Sequence, residues 1–96
     1  MEYIYKRRFL KQFDSYDKPV QALIMAAGDG IRRYHTTRHA PYGLRIKKLY
    51  DNGIERTYEA RVSDKIRIIW VEGGGLCVFV TVGGHDEVRH YITSFR

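Results

Sequence analysis

The stretch that decides the fold is Glu59-Ala60-Arg61-Val62-Ser63-Asp64-Lys65-Ile66-Arg67-Ile68-Ile69-Trp70-Val71-Glu72-Gly73-Gly74-Gly75-Leu76-Cys77-Val78-Phe79-Val80-Thr81-Val82-Gly83-Gly84-His85. Runs rich in Val, Ile and aromatic residues are separated by Ser63-Asp64-Lys65 and by three glycines, the signature of strands joined by tight turns. The spacing predicts strands over Tyr58 to Val62, Ile66 to Glu72 and Leu76 to Val82. Folding symmetrically about Asp64 sets Val62 opposite Ile66, Arg61 opposite Arg67 and Ala60 opposite Ile68. A matching turn centred on Gly74 sets Phe79 opposite Ile69, Val80 opposite Ile68 and Thr81 opposite Arg67. Side chains alternate between faces, so Tyr58, Ala60, Val62, Ile66, Ile68, Trp70, Leu76, Val78, Val80 and Val82 are predicted to share the core face. The other face then carries Arg61, Arg67, Ile69, Val71, Cys77, Phe79 and Thr81 and leads on to His85. A one-residue slip would reverse these assignments.

Working outward, Asp51-Asn52-Gly53 is a strong turn signal, and Leu44 to Leu49 before it forms a further strand. Tyr3-Ile4-Tyr5 alternates with polar neighbours as a short N-terminal strand. Phe9, Leu10 and Phe13 give a first amphipathic helix. Asp17-Lys18-Pro19 starts a second, with Asp17 as cap and Pro19 in the first turn. Val20, Leu23, Ile24, Ala27, Ile31 and Tyr34 line one face of it, although Gly28 and Gly30 predict an end or a weak turn there. His35 to Tyr42 reads as a loop, and Val88 to Phe95 reads equally as strand or helix. The class is α+β: one strand, a helical pair and a three- to four-stranded antiparallel meander, with helices on one sheet face.

A chain of 96 residues with 44% apolar content and 13 aromatic residues is one domain spanning 1–96. Its charge is lopsided: residues 1 to 48 hold 11 basic and 4 acidic side chains, residues 49 to 96 hold 6 and 7. A net charge of +6 favours a polyanion or an acidic protein partner. Arg45, Lys47, Lys48 and Arg89 are accordingly candidate nucleic-acid contacts. Cys77 stands alone in an apolar run, so no internal disulfide forms and a reducing cytoplasm is expected; buried there, it is a poor nucleophile. No stretch approaches a membrane span and the N-terminus does not resemble a signal peptide.

The predicted Arg61–Arg67 pair is destabilising unless an anion lies between the two guanidinium groups. A bound phosphate resolves the conflict; neutralisation by Glu59 or Glu87 resolves it equally. His85 follows Gly83-Gly84 at the end of a core strand, where an imidazole exchanges protons near neutral pH. His35 and His39 would chelate a metal only on a helix, and no third ligand is near, so neither a metal nor a cofactor is expected.

In its order of elements the chain resembles the RelE/ParE superfamily of bacterial toxin–antitoxin toxins over nearly its whole length. The resemblance rests on Tyr3 to Phe13, on Asp17-Lys18-Pro19-Val20-Gln21, on Arg61-Val62 with Ile66-Arg67-Ile68-Ile69-Trp70, and on Val80-Thr81-Val82-Gly83-Gly84-His85-Asp86-Glu87-Val88. It implies a ribosome-dependent, metal-free endoribonuclease in which a 2′-hydroxyl attacks the adjacent phosphate of mRNA. Arg67 matches the phosphate-contacting arginine, Arg61 a basic residue of the preceding strand, and His85 the arginine or histidine ending the last core strand. It also implies a small acidic antitoxin as partner, with ribosomal RNA as a further contact. Arg89 stands where relatives have tyrosine, so that residue's stacking or proton-transfer role is either missing or moved to Tyr91, and Glu59 stands where an active relative has lysine. The superfamily's other branch implies a DNA gyrase inhibitor, and a silent RNA- or partner-binding relative is the third reading.

Overall fold

A computed structural model describes residues 1–41 and 43–93. Eight elements follow in order: β1 (Glu2–Tyr5), α1 (Arg7–Asp14), α2 (Lys18–Thr37), β2 (Lys47–Asp51), β3 (Arg56–Arg61), β4 (Arg67–Gly73), β5 (Leu76–Gly83) and α3 (His85–Thr93). The strands form one sheet in the order β1-β5-β4-β3-β2. From β2 to β5 consecutive strands pair antiparallel, while β1 lies parallel to β5 at the edge.

The amphipathic stripes of α1 and α2 explain their place on the sheet. Phe9, Ile24, Ala27 and Ile31 are buried against Ala60, Ile68, Trp70, Cys77, Phe79 and Val82. Tyr58 stacks on Trp70 with ring centroids 5.5 Å apart, and Tyr5 stacks on Phe79 at 4.9 Å. The Arg32 guanidinium lies 5.3 Å from the Tyr3 ring centroid and 5.7 Å from that of Tyr5, cation–π contacts that shelter its charge. β1 stops at Tyr5, so the outer edge of β5 needs another partner beyond Phe79. Gln12 supplies it: its Oε1 accepts from Val82 N at 3.0 Å and from Thr81 Oγ1 at 2.8 Å.

Asp17 caps α2 by accepting from Val20 N, and Pro19 occupies the first turn, as expected. The helix does not end near Gly28. It continues through His35-Thr36-Thr37, which the polar composition had suggested was loop, and stops where Arg38 takes a left-handed conformation with φ 64°. The reason is tertiary: a Cβ on Gly30 would stand 2.9 Å from Leu44 Cδ1 and 3.1 Å from Pro41 Cγ. Gly30 is thus the place where the loop before β2 crosses the helix. Gly30→Val should cost about 1–3 kcal/mol by overpacking this crossing, seen as a lower urea midpoint at unchanged slope. Unchanged stability would mean that the loop simply moves away.

The β3–β4 register is the predicted one, with Ala60 opposite Ile68 and Arg61 opposite Arg67. The β4–β5 register differs. Gly74 and Gly75, with φ of 57° and 79°, form a two-residue turn, as the primed hairpin turns require. Gly73 therefore faces Leu76 and Trp70 faces Phe79. This one-residue shift puts Cys77 and Phe79 in the core and turns Val78 and Val80 to the other face. A bulge at Val80 then shifts the register again, so that Ile68 faces Val82, Ile69 faces Thr81 and Arg67 faces Gly83 rather than Thr81.

The final segment, open between strand and helix from its sequence, is α3. It packs on β4 and β5 with Val88 buried, and its Tyr91 shares a cleft with Val71 and Val78 on the sheet face turned away from α1 and α2. The part of that segment beyond Thr93 lies outside the described residues. No helix among the described residues is long and apolar enough to cross a membrane.

Candidate nucleic-acid interface

Because Arg61 faces Arg67 across two paired strands, their side chains project from the same face of the sheet. Lys47 pairs with Glu59 on the neighbouring strand, and the Leu44 carbonyl accepts from Arg61 N at 2.6 Å, which fixes the chain before β2 beside Arg61. Arg45 follows with φ 47°, a conformation uncommon outside glycine and asparagine. Arg45, Lys47, Glu59, Arg61 and Arg67 together line a cleft of about 280 Å³. Four cations there face one carboxylate.

Internal neutralisation is incomplete. Glu59 Oε1 lies 3.6 Å from Arg67 Nε, and the exposed Asp64 lies 3.9 Å from Arg61 Nη1. Arg61 Nε is buried and finds no hydrogen-bond partner among the described residues. A buried donor of a charged group left unpaired is costly, so the cleft is chemically suited to an anion with several acceptor oxygens. Glu87 is not a neutraliser of this pair; it packs against Gly83 and Gly84 at the start of α3.

The remaining expected residues distribute as follows. His85 is exposed as the first residue of α3, two positions beyond the Gly83 that faces Arg67. Its side chain is not among those that line the cleft. Lys48 points away from Lys47 by strand alternation and forms an exposed ion pair with Asp51 at 2.9 Å. Asp51 raises the Lys48 pKa, through their hydrogen bond first and their charge attraction second. Arg89 is exposed on α3 and does not line the cleft. Tyr91 lines a separate cleft of about 570 Å³ with Tyr50, Asn52 and Glu55. Burial, and then Glu55, push its phenol above the ordinary value, against the opposing effect of Arg8.

One group escaped the sequence reading. Glu72 is buried on the helix-facing side of β4, 8% exposed. Its Oε2 accepts from Trp70 Nε1 at 2.9 Å and meets His35 Nε2 at 2.5 Å, and His35 Nδ1 meets the Tyr3 hydroxyl at 2.9 Å. The signal was a carboxylate inside an apolar strand, which requires buried partners. His35 is therefore committed to the core, and His39 lies past the end of the helix. No metal-binding cluster occurs among the described residues.

Cys77 is fully buried; burial, and then Glu72, push its thiol up to about 12. The thiolate is the reactive form, so iodoacetamide at mildly alkaline pH should leave native Cys77 unmodified and label it once urea unfolds the chain. Rapid labelling of the native protein would contradict this burial.

No protein-family model and no curated protein matches the chain. Solved structures do. A chain of the archaeal RelE–RelB complex from Pyrococcus horikoshii aligns with TM-score 0.70 and 16% identity over 86% of this chain and 92% of that one. A chain of the RelB–RelE antitoxin–toxin complex of Methanococcus jannaschii gives 0.63 and 19% over 92% and 96%. A chain of the E. coli DinJ–YafQ complex gives 0.62 and 17% over 91% and 96%. At such identities the likeness is one of backbone architecture, and it spans nearly the full length of both partners: the chain has the fold of these chains from RelE–RelB and DinJ–YafQ complexes.

Proposed function

We propose that this chain is the toxin of a type II toxin–antitoxin pair and acts as an endoribonuclease on ribosome-bound mRNA. The observation that carries the reading is the Arg61–Arg67 pair, set face to face in a cleft whose one carboxylate leaves most of the positive charge unmatched. In the reaction, a ribose 2′-oxygen bonds to the adjacent phosphorus, the bond to the 5′-oxygen breaks, and a cyclic phosphate remains. Charge grows on the phosphoryl oxygens, and fixed guanidinium donors offset it. His85, at the end of β5, moves a proton. The partner is a small acidic antitoxin. The apolar groove between α1 and α2, where Leu10 and Met25 are exposed, offers it apolar surface. The expected location is the cytoplasm.

A second reading, a protein that binds and inhibits DNA gyrase, draws on the departure at Arg89 and on the separation of Tyr91 from the cationic cleft. Controlled expression in bacteria with 5′-end mapping of transcripts separates the two. Codon-aligned cuts with the wild type, absent in Arg67→Ala and His85→Ala at equal protein levels, are the expected result. Growth arrest with intact transcripts and DNA damage would replace the nuclease with the gyrase reading, and unimpaired growth would leave a silent binding module.

A further inference from the structure

The sheet has two edges, and they are not alike. β2 is blunted by the adjacent Lys47 and Lys48 and by the register shift between Lys48 and Tyr50, common protections against a docking strand. β1 carries neither a bulge nor a proline, and among the described residues no strand lies beyond it. Glu2 N and Lys6 N donate inward, to the carbonyls of Gly75 and Phe79, both at 2.9 Å. Backbone groups alternate in direction along a strand, so those of Tyr3 and Tyr5 point outward. The strand is also pinned from the helix side. The Arg32 guanidinium covers the Tyr3 and Tyr5 rings, and His35 holds the Tyr3 hydroxyl. An incoming strand therefore meets an edge already ordered for it.

Glu2-Tyr3-Ile4-Tyr5-Lys6 reads as a palindrome whose ends are opposite in charge. Lys6 keeps an extended backbone, with φ −66° and ψ 149°, so the whole stretch is able to pair. We infer that the outer edge of β1 binds β1 of a second copy of this chain, antiparallel about a two-fold axis at Ile4, and joins the two sheets into one. In this register Ile4 faces its own counterpart, Tyr3 faces Tyr5 and Glu2 faces Lys6. The backbone selects it because Tyr3 and Tyr5, with outward groups, exchange both hydrogen bonds, while Ile4 takes the close position between them. Charge selects it as well. Glu2 and Lys6 are exposed, and among the described residues neither belongs to an ion pair, so each meets an opposite charge across the junction. Ile4, 39% exposed, packs on a second isoleucine. An axis at Tyr3 or at Tyr5 suits the backbone equally but sets Ile4 against Glu2 or Lys6. The contact is self-complementary and closes at two copies. It goes beyond the proposed function and does not depend on it, since the cationic cleft belongs to β2, β3 and β4.

So short a strand pair buries less than the roughly 1,200 Å² of an ordinary stable interface, and a dissociation constant on the order of 100 µM is expected. Sedimentation equilibrium of the full chain from roughly 10 µM to 1 mM brackets that value. Glu2→Lys sets an ammonium against Lys6 on both sides of the axis, and Lys6→Glu sets a carboxylate against Glu2. Each should weaken the dimer by about tenfold, as attraction becomes repulsion in both facing pairs. Mixing the two single variants should restore association as a mixed dimer, because every facing pair is then opposite in charge. The double variant Glu2→Lys with Lys6→Glu should pair with itself as the wild type does. Ile4→Lys, which brings two ammonium groups together at the axis, should stay monomeric throughout. Thermal melts confirm that each variant is folded. A wild type that is monomeric at every concentration overturns the pairing and leaves this edge to a strand of another protein. A dimer untouched by the single swaps, or swaps that fail to recover on mixing, overturns the register and the inference with it.

Discussion

Glu72→Leu is expected to remove about 3 kcal/mol or more of folding stability, the largest loss foreseen for a single side chain outside the cleft. The carboxylate is buried and serves two partners at once, Trp70 Nε1–H and His35 Nε2. A carboxylate only accepts, so both nitrogens carry protons toward it. Leucine fills the volume but leaves two buried donors unsatisfied, each at a cost of about 1–3 kcal/mol. His35 in turn holds the Tyr3 hydroxyl, so the loss extends from β4 through α2 to β1. For a domain of this size the melting temperature should fall by roughly 12 °C or more, and urea unfolding gives the free energy directly. Trp70→Phe, which removes one donor and keeps the His35 pairing, should cost less. A loss below about 1 kcal/mol for Glu72→Leu would mean that the two partners find substitutes on their own.

Arg67→Ala is expected to lower the proposed cleavage rate by roughly 10²–10³, the range typical for loss of one preorganised donor to a developing anion. Arg67 and Arg61 face each other, but only Arg67 adjoins Gly83 and so stands at the His85 end. The expected order is therefore a larger rate loss for Arg67→Ala than for Arg61→Ala. Arg67→Lys should recover only part of the rate, because an ammonium keeps the charge without the planar fork that meets two phosphate oxygens. Its folding cost is small, since the ion pair with Glu59 is long and partly exposed. Single-turnover cleavage of ribosome-bound message by matched amounts of folded variants is the measurement. Equal rates for Arg67→Ala and wild type would remove the cleft from the chemistry.

The difference between the two central hairpins explains how much of this was legible in the sequence. Ser63-Asp64-Lys65 is a turn with one centre, so the Arg61–Arg67 pairing and the cationic cleft could be read from residue spacing alone. Gly73-Gly74-Gly75 is not, because three glycines offer two adjacent centres with equal local chemistry. The choice of Gly74–Gly75 is made by packing: it brings Phe79 and Cys77 under the helices beside Trp70. The Val80 bulge carries no local signal either, yet it restores Val82 to the core and aligns Gly83 with Arg67. In α2, the low helix propensity of Gly30 is outmatched by its contact with Leu44 and Pro41, neighbours visible only in three dimensions. Glu72 stood in plain view in its strand, whereas His35, which answers it, and Tyr3, which holds His35, lie far off along the chain.

The parallel pairing of β1 with β5 bears on how the molecule is born. Glu2 pairs with Leu76 and Tyr5 with Phe79, and Gln12 waits for Val82, so β1 and α1 depend on a strand synthesised much later. Contacts this distant along the chain close late. The β3–β4 hairpin that carries Arg61 and Arg67 can form from neighbouring residues, but its Gly83–His85 end and the docking site of β1 arrive together with β5. A nascent chain cut short before Leu76 holds an orphan first strand and an unfinished cleft. Synthesis itself thus withholds the assembled site until β5 has been translated.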